Sequence, residues 1–293
     1  MRGVSVSITF RLAFCFGLVV LFAPAGGAIS HQSPAATGRL LLATVIDTSG
    51  KTQVDVGVDD FVIREGGDER EVLDVHVADY PMVVLIDDGP ESTDLGPIKA
   101  AVARFITRVG ERPVAVATLS SPTQFIAALE DSREDVLARI SAMAAKPGPA
   151  ETLPAVAHAA RELQDTGSPF SAIVIVTGRA IDARIPVEGD LLPSIAESGA
   201  TVHVVESRQP PATATSGATE DVPDLLKVLS DQTHGQYTTI FTPASYGAAL
   251  DRLADKLSVE LMIQYLVPAG EANGDVQVGV RRPGSRVVGL GVK

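Results

Sequence analysis

MVVLIDDGPEST, residues 82–93, runs from an unbroken apolar segment straight into a cluster of acids. Met82–Ile86 carries no polar residue and is rich in β-branched side chains, the pattern of a strand buried on both faces. Asp87, Asp88 and Glu91 follow at its carboxyl end, separated by Gly89 and Pro90. Carboxylates crowded at the end of a buried strand need a cation or some other source of opposing charge.

Strands and helices alternate downstream of this stretch. Asp94–Val109 places Leu95, Ile98, Val102, Phe105, Ile106 and Val109 at helical spacing. PVAVATLS (113–120) and TQFIAAL (123–129) read as strands. SREDVLARISAM is a helix with Ser132 at its N-cap, and TLPAVAHAARELQD is a helix that tolerates Pro154 in its first turn. SAIVIVTG, ATVHVVES and QYTTIF are strands, and DLLPSIAESG, VPDLLKVLSDQTHG and SYGAALDRLADKLSVEL are helices. This alternation predicts an α/β fold, Rossmann-like, with a mostly parallel central sheet and helices on both faces. Both ends of the chain read differently. Residues 39–79 and 262–293 are strands joined by turns such as TSGK and EGGDE, and the economical arrangement pairs them into one small β subdomain, since each alone would expose sheet edges.

Composition sets further bounds. The chain has 293 residues, 45% of them apolar, but only 4% aromatic and with no Trp, so the core must be built from Val, Leu, Ile and Ala. Residues 1–28 read as a signal peptide: Arg2 and Arg11 precede or flank a short apolar run, and Ala25–Ala28 offers small residues for cleavage. Its removal would take Arg2, Arg11 and the sole cysteine, Cys15, and move the formal charge from −12 to −14. The expected product is exported, periplasmic or secreted, disulfide-free, and too acidic to bind nucleic acid or anionic membranes by bulk electrostatics. No second apolar run approaches the ~20 residues of a membrane span, so no insertion is expected after cleavage. The expected layout is a signal peptide at 1–28, a linker at 29–38, an N-terminal β segment at 39–79, an α/β domain at 80–261 and a C-terminal β segment at 262–293.

Four stretches in order carry a family resemblance. VDVGVDDFVIREGGDEREVLDVHVADYPMVVLIDD, the strand ending at Asp87, DLLKVLSDQTHGQYTT, and ALDRLADKLSVELMIQYLVPAG with VQVGVRRPG together resemble the von Willebrand factor type A proteins, and most closely the exported bacterial, Acidobacteria-type members. The resemblance covers nearly all of the chain after residue 28. It implies a protein-binding module whose metal site uses Asp-x-Ser-x-Ser, a Thr from a second loop and the Asp of a TDG. Asp87 matches the first Asp and Thr152 the Thr. Gly89 and Glu91 stand at the serine positions, and Thr177, Gly178 and Arg179 stand at TDG, so the third-loop Asp is missing. One reading has Asp87, Glu91 and Thr152 hold Mg²⁺, a hard cation that wants oxygen ligands. Ligand count favours the other: a degenerate, metal-free site in which the Arg179 guanidinium offsets Asp87 and Glu91.

Other chemistry is poorly supported. His76, His158, His203 and His234 have no nucleophile or second histidine at recognisable spacing, and neither G-x-S-x-G nor a phosphate loop occurs. Arg281 and Arg282 read as charges guarding a strand edge. The expectation is a non-enzymatic, exported protein-binding module without a cofactor. The alternatives are a Mg²⁺-dependent adhesion-type binder and a structural subunit of a periplasmic or envelope assembly. The protein partner is not specified by the sequence.

Overall fold

The computed structural model describes residues 36–89, 94–146, 150–178, 193, 195, 197–208, 224–268 and 274–292. The apolar stretch before the acids forms β5 (Met82–Ile86), every residue of which is buried. It is followed by α1 (Leu95–Arg108), β6 (Val114–Thr118), β7 (Phe125–Ala127), α2 (Arg133–Ala142), α3 (Thr152–Asp165), β8 (Ser171–Thr177), β9 (Ala200–Ser207), α4 (Leu225–Gln232), β10 (Tyr237–Ile240) and α5 (Ser245–Leu257). Six of these strands form one sheet in the order β10-β9-β8-β5-β6-β7, parallel except for the edge strand β7. The expected helix in DLLPSIAESG lies largely outside the described residues.

Side-chain alternation along the strands builds a core on each face. Val84, Ile86, Val174 and Val176 pack with Val102, Phe105 and Ile106 of α1 and with Leu250 and Leu253 of α5. Val83, Leu85, Ile173 and Ile175 pack on the other side with Val156 and Leu163 of α3 and Leu229 of α4. Burying each such aliphatic side chain is worth about 1.5–3 kcal/mol, and with few aromatics available these residues supply most of the driving force.

The chain ends build the rest. β1 (Thr37–Ile46), β4 (Val72–Val77), β11 (Leu261–Val267) and β13 (Arg286–Val292) form a four-stranded sheet in the order β13-β1-β11-β4. β2 (Phe61–Glu65), β3 (Asp68–Arg70) and β12 (Val276–Val280) form a second sheet, with β2 in the middle. A third core, including Leu41, Val45, Phe61, Ile63, Ile263 and Tyr265, lies among these strands. Neighbouring β1 residues Leu40 and Leu42 pack instead against the first core of the parallel sheet, as does Met262. β1 is thus sandwiched between two cores, and the N- and C-terminal strands are one subdomain, the fold class expected from the sequence. Two local readings change, and the arginines at the end of edge strand β12 gain a second role. Thr37 and Gly38, placed in the linker, pair with Val267 and Leu266 and so begin β1. The last helix stops at Leu257 because Leu261 is already in register with Ala43 and Val77. Arg281 and Arg282 act as latches: Arg281 donates to the Asp59 carbonyl at 3.0 Å and to Glu69 at 2.8 Å, and Arg282 to Asp60 at 2.9 Å, tying the end of β12 to the short turn before β2 and to β3. Among the described residues no helix is long and apolar enough to cross a membrane.

The turn between α4 and β10 docks on β9 without room for a side chain. His234 has a left-handed φ of 59°, and a Cβ on Gly235 would sit 1.8 Å from the Val202 carbonyl oxygen. Gly235→Ala should therefore destabilise the protein by about 1–3 kcal/mol or more, whereas His234→Gly should be neutral or stabilising, in chemical denaturation. His203, two percent exposed on β9, makes a second prediction. Burial, with Lys256 and Arg112 adding to it, depresses its pKa to about 3 from 6.5. Below pH 6.5 the unfolded chain takes up a proton that the folded ring refuses. His203 therefore costs stability as pH falls from 6.5 towards 3, at up to ~1.4 kcal/mol per pH unit, and costs nothing above that window. Urea titrations of wild type and His203→Gln across that range should diverge with that sign.

Candidate functional site

Strand order reverses beside β5. From β5 the chain moves outward through β6 and β7, then returns on the opposite flank as β8, β9 and β10. In an open α/β sheet ligands bind at the carboxyl ends of the strands flanking such a reversal, here β5 and β8. Asp87 and Asp88 leave the end of β5 into this crevice, at 0% and 1% exposure.

The chain itself meets both carboxylates. Asp87 Oδ1 accepts from the Gly89 N–H, and Oδ2 from the Thr177 hydroxyl and the Gly178 N–H, each at 3.2 Å. The Asp87 N–H donates to the Val176 carbonyl at 3.0 Å, continuing the parallel ladder beyond the last paired residues. Asp88 turns the other way. Its Oδ1 accepts from the Ser120 N–H at 3.1 Å and its Oδ2 from the Ser120 hydroxyl at 2.9 Å. The first acid clips β5 to β8, and the second clips β5 to the segment that follows β6. Hydrogen bonds to an ionised, buried group are among the stronger ones, about 1.5–3 kcal/mol each.

Thr152 lies at the same edge, buried at the first position of α3. Its loop is strapped down by an Ala150–Ser120 bridge and by the Glu151 N–H donating to the Leu119 carbonyl at 2.9 Å. The structure thus brings Asp87 and Thr152 to one sheet edge, while Glu91 and Arg179 fall outside the described residues. Gly89, which stands at a serine position of the motif, contributes through its backbone N–H. Asp94, just ahead of α1, and Tyr246 of α5 are additions that no spacing signalled. Tyr246 is buried and donates to the Thr177 carbonyl at 2.9 Å. Burial holds its phenol well above the ordinary pKa, and the nearby Asp94 and Asp87 carboxylates add to this against an opposing hydrogen bond with Ser207.

A second polar knot closes the ends of β9 and β10. Buried Glu206 pairs with Arg208 at 3.0 Å, and Arg208 also pairs with Asp224. The Tyr237 hydroxyl accepts from Arg208 at 2.7 Å and shares its single proton between Asp224, at 2.6 Å, and Glu206. Burial first, then the hydrogen bonds to these two acids, raise the Tyr237 phenol. Arg208 is thus an internal counter-charge at this edge, two strands from Asp87 and on a residue the sequence did not single out.

Among solved structures, the chain is similar to a von Willebrand factor type A protein from Catenulispora acidiphila, at 13% identity and a TM-score of 0.50, over 89% of this chain and 74% of that one. BatB from Bacteroides thetaiotaomicron is 14% identical over 61% of this chain and 98% of its own, with a TM-score of 0.44. Proximal thread matrix protein 1 of the mussel byssus is 16% identical over 61% and 48%, with a TM-score of 0.47. The first likeness, together with the strand order, shows that the fold is that of a von Willebrand factor type A domain; the other two are too distant to add to this. No family model and no curated protein matches the chain.

That fold suggests a divalent cation beside Asp87, and the donor set can be compared with that need. The Asp87 and Asp88 oxygens accept N–H and O–H hydrogens, which takes up part of their acceptor capacity. Among the described residues no three His, Cys, Asp or Glu side chains converge. The described residues hold both carboxylates by hydrogen bonds from the chain itself. If the acids are clips, Ser120→Ala should cost about 1–3 kcal/mol of unfolding free energy, and Asp88→Ala more, since it orphans both the Ser120 N–H and hydroxyl. Equilibrium denaturation measures both; a neutral or stabilising Asp88→Ala would contradict the clip.

Proposed function

We propose that the protein is an exported, non-enzymatic protein-binding module that presents the loops at the carboxyl edge of its parallel sheet and binds its partner without a metal. One observation carries this reading: the Asp87 carboxylate at the strand reversal is already taken by Gly89, Thr177 and Gly178. A cation there would compete with these donors for the carboxylate oxygens, and would leave a coordination position for an acidic residue of the partner. Here the same crevice is a rigid, hydrogen-bonded platform. Export and membership of the Acidobacteria-type group rest on residues 1–28 and on the ordered motifs of the sequence. The degenerate site at Asp87, Glu91 and Thr152, offset by Arg179, belongs to this proposal.

The test uses the tagged protein in cell-envelope extract, with Mg²⁺ and with chelator. The expected result is a partner retained equally in both and lost in Glu151→Arg, a charge reversal on an exposed residue of the carboxyl-edge loops. Substitution of Arg64 on the β subdomain should leave retention unchanged. Partner loss in chelator would establish the metal-dependent binder instead. Loss through Arg64→Glu but not Glu151→Arg would establish the structural-subunit reading. Thermal unfolding of the free protein should be indifferent to Mg²⁺, because a ligand stabilises the state it binds.

A further inference from the structure

A cavity of about 200 Å³ lies where β1 and β13 cover the amino-terminal part of the parallel sheet, on the side away from the Asp87 crevice. Its polar wall includes Tyr80, His203, Lys256 and Glu260, and its apolar wall includes Leu42 and Ala43. The glutamate is committed. Glu260 accepts from the Tyr80 hydroxyl at 2.6 Å and lies 3.6 Å from the Arg112 guanidinium. Arg112 is itself buried, stacked 4.0 Å over the Tyr80 ring and donating to the Leu257 carbonyl at 2.6 Å. Lys256 forms no ion pair among the described residues. Two cations therefore face one carboxylate.

His203 supplies the second, independent observation. It lines the cavity, is 2% exposed, and its Nε2 has no hydrogen-bond partner. Its Nδ1 accepts from the Gln236 N–H at 3.0 Å, which leaves the ring hydrogen on Nε2. The low pKa of about 3 keeps the ring in that neutral form. A buried N–H donor without a partner is costly and rare, and a ligand acceptor would satisfy it.

We propose that this cavity binds a small aliphatic carboxylate, its oxygens taken by the His203 Nε2–H and the Lys256 ammonium and its short chain lying against Leu42 and Ala43. The surplus of one positive charge suits a monoanion, and the apolar wall suits a short hydrocarbon tail more than a fully hydrated inorganic ion. This inference stands apart from the reading of the carboxyl edge, which involves none of these residues.

The experiment titrates butyrate, and separately inorganic phosphate, into the full-length protein at constant ionic strength. It follows the His203 imidazole nitrogens by NMR and the heat by calorimetry. Butyrate should shift the Nε2 resonance saturably, and phosphate should bind more weakly. Lys256→Met, a change on an exposed helical position that leaves the core intact, should weaken butyrate roughly tenfold or more. His203→Gln should abolish saturation while remaining folded by circular dichroism. The proposal is overturned by absence of a saturable shift in wild type, by phosphate binding as tightly as butyrate, or by wild-type affinity in Lys256→Met.

Discussion

Two adjacent carboxylates at the end of a fully buried strand pull in opposite directions, and the rest of the carboxyl edge is arranged around that fact. Asp87 reaches across to β8 and Asp88 to the segment after β6. Taking a carboxylate out of water costs several kcal/mol unless hydrogen bonds replace the lost hydration. Among the described residues, backbone N–H groups and hydroxyls supply such bonds. The same bonds that hold the acids also fix where three strands stop, so the crevice is stiff before any partner arrives. Arg208, Glu206, Asp224 and Tyr237 repeat the solution at β9, two strands from Asp87, this time with a guanidinium as the central donor.

The β subdomain solves a different problem. An α/β core with few aromatics has limited apolar area to bury, and the strands from both chain ends enlarge it. β1 contributes alternate residues to two cores, and β11 follows α5 into the middle of the same four-stranded sheet. Covering the amino-terminal side of the parallel sheet leaves a polar seam, occupied by the buried Arg112, Tyr80 and His203 and the half-buried Glu260. Arg112 on the Tyr80 ring and Tyr80 on Glu260 form a linked set in which each charge has a partner.

Much of the architecture was legible in the sequence because it depends on side-chain periodicity. Met82–Ile86 reads as a buried strand, Ser171–Thr177 as a strand, Ser132 as an N-cap, and the chain ends as strands with tight turns. Ser132 does accept from the Asp135 N–H. The family pattern pointed to Asp87 and Thr152, which share an edge. What was not legible depends on groups that leave no trace in a pattern. Backbone donors such as Gly89 and Gly178 look like missing ligands when only side chains are counted. Tyr246 meets Thr177 across 69 residues of sequence, and Arg208 meets Asp224 where the N-cap of α4 comes back to the end of β9. Arg281 and Arg282 read as edge guards because their acceptors, Asp59, Asp60 and Glu69, lie more than 200 positions away.

The central claim is that the chain's own amides and hydroxyls, and not an ion, hold the acids of the β5 terminus. Proton NMR of the Gly89, Ser120 and Gly178 amides tests it most directly. The account predicts downfield, slowly exchanging resonances at all three, unmoved by millimolar Mg²⁺. A saturable shift of the Gly89 and Gly178 amides on adding Mg²⁺, with faster exchange at both, would mean that a cation displaces these donors, and would contradict it.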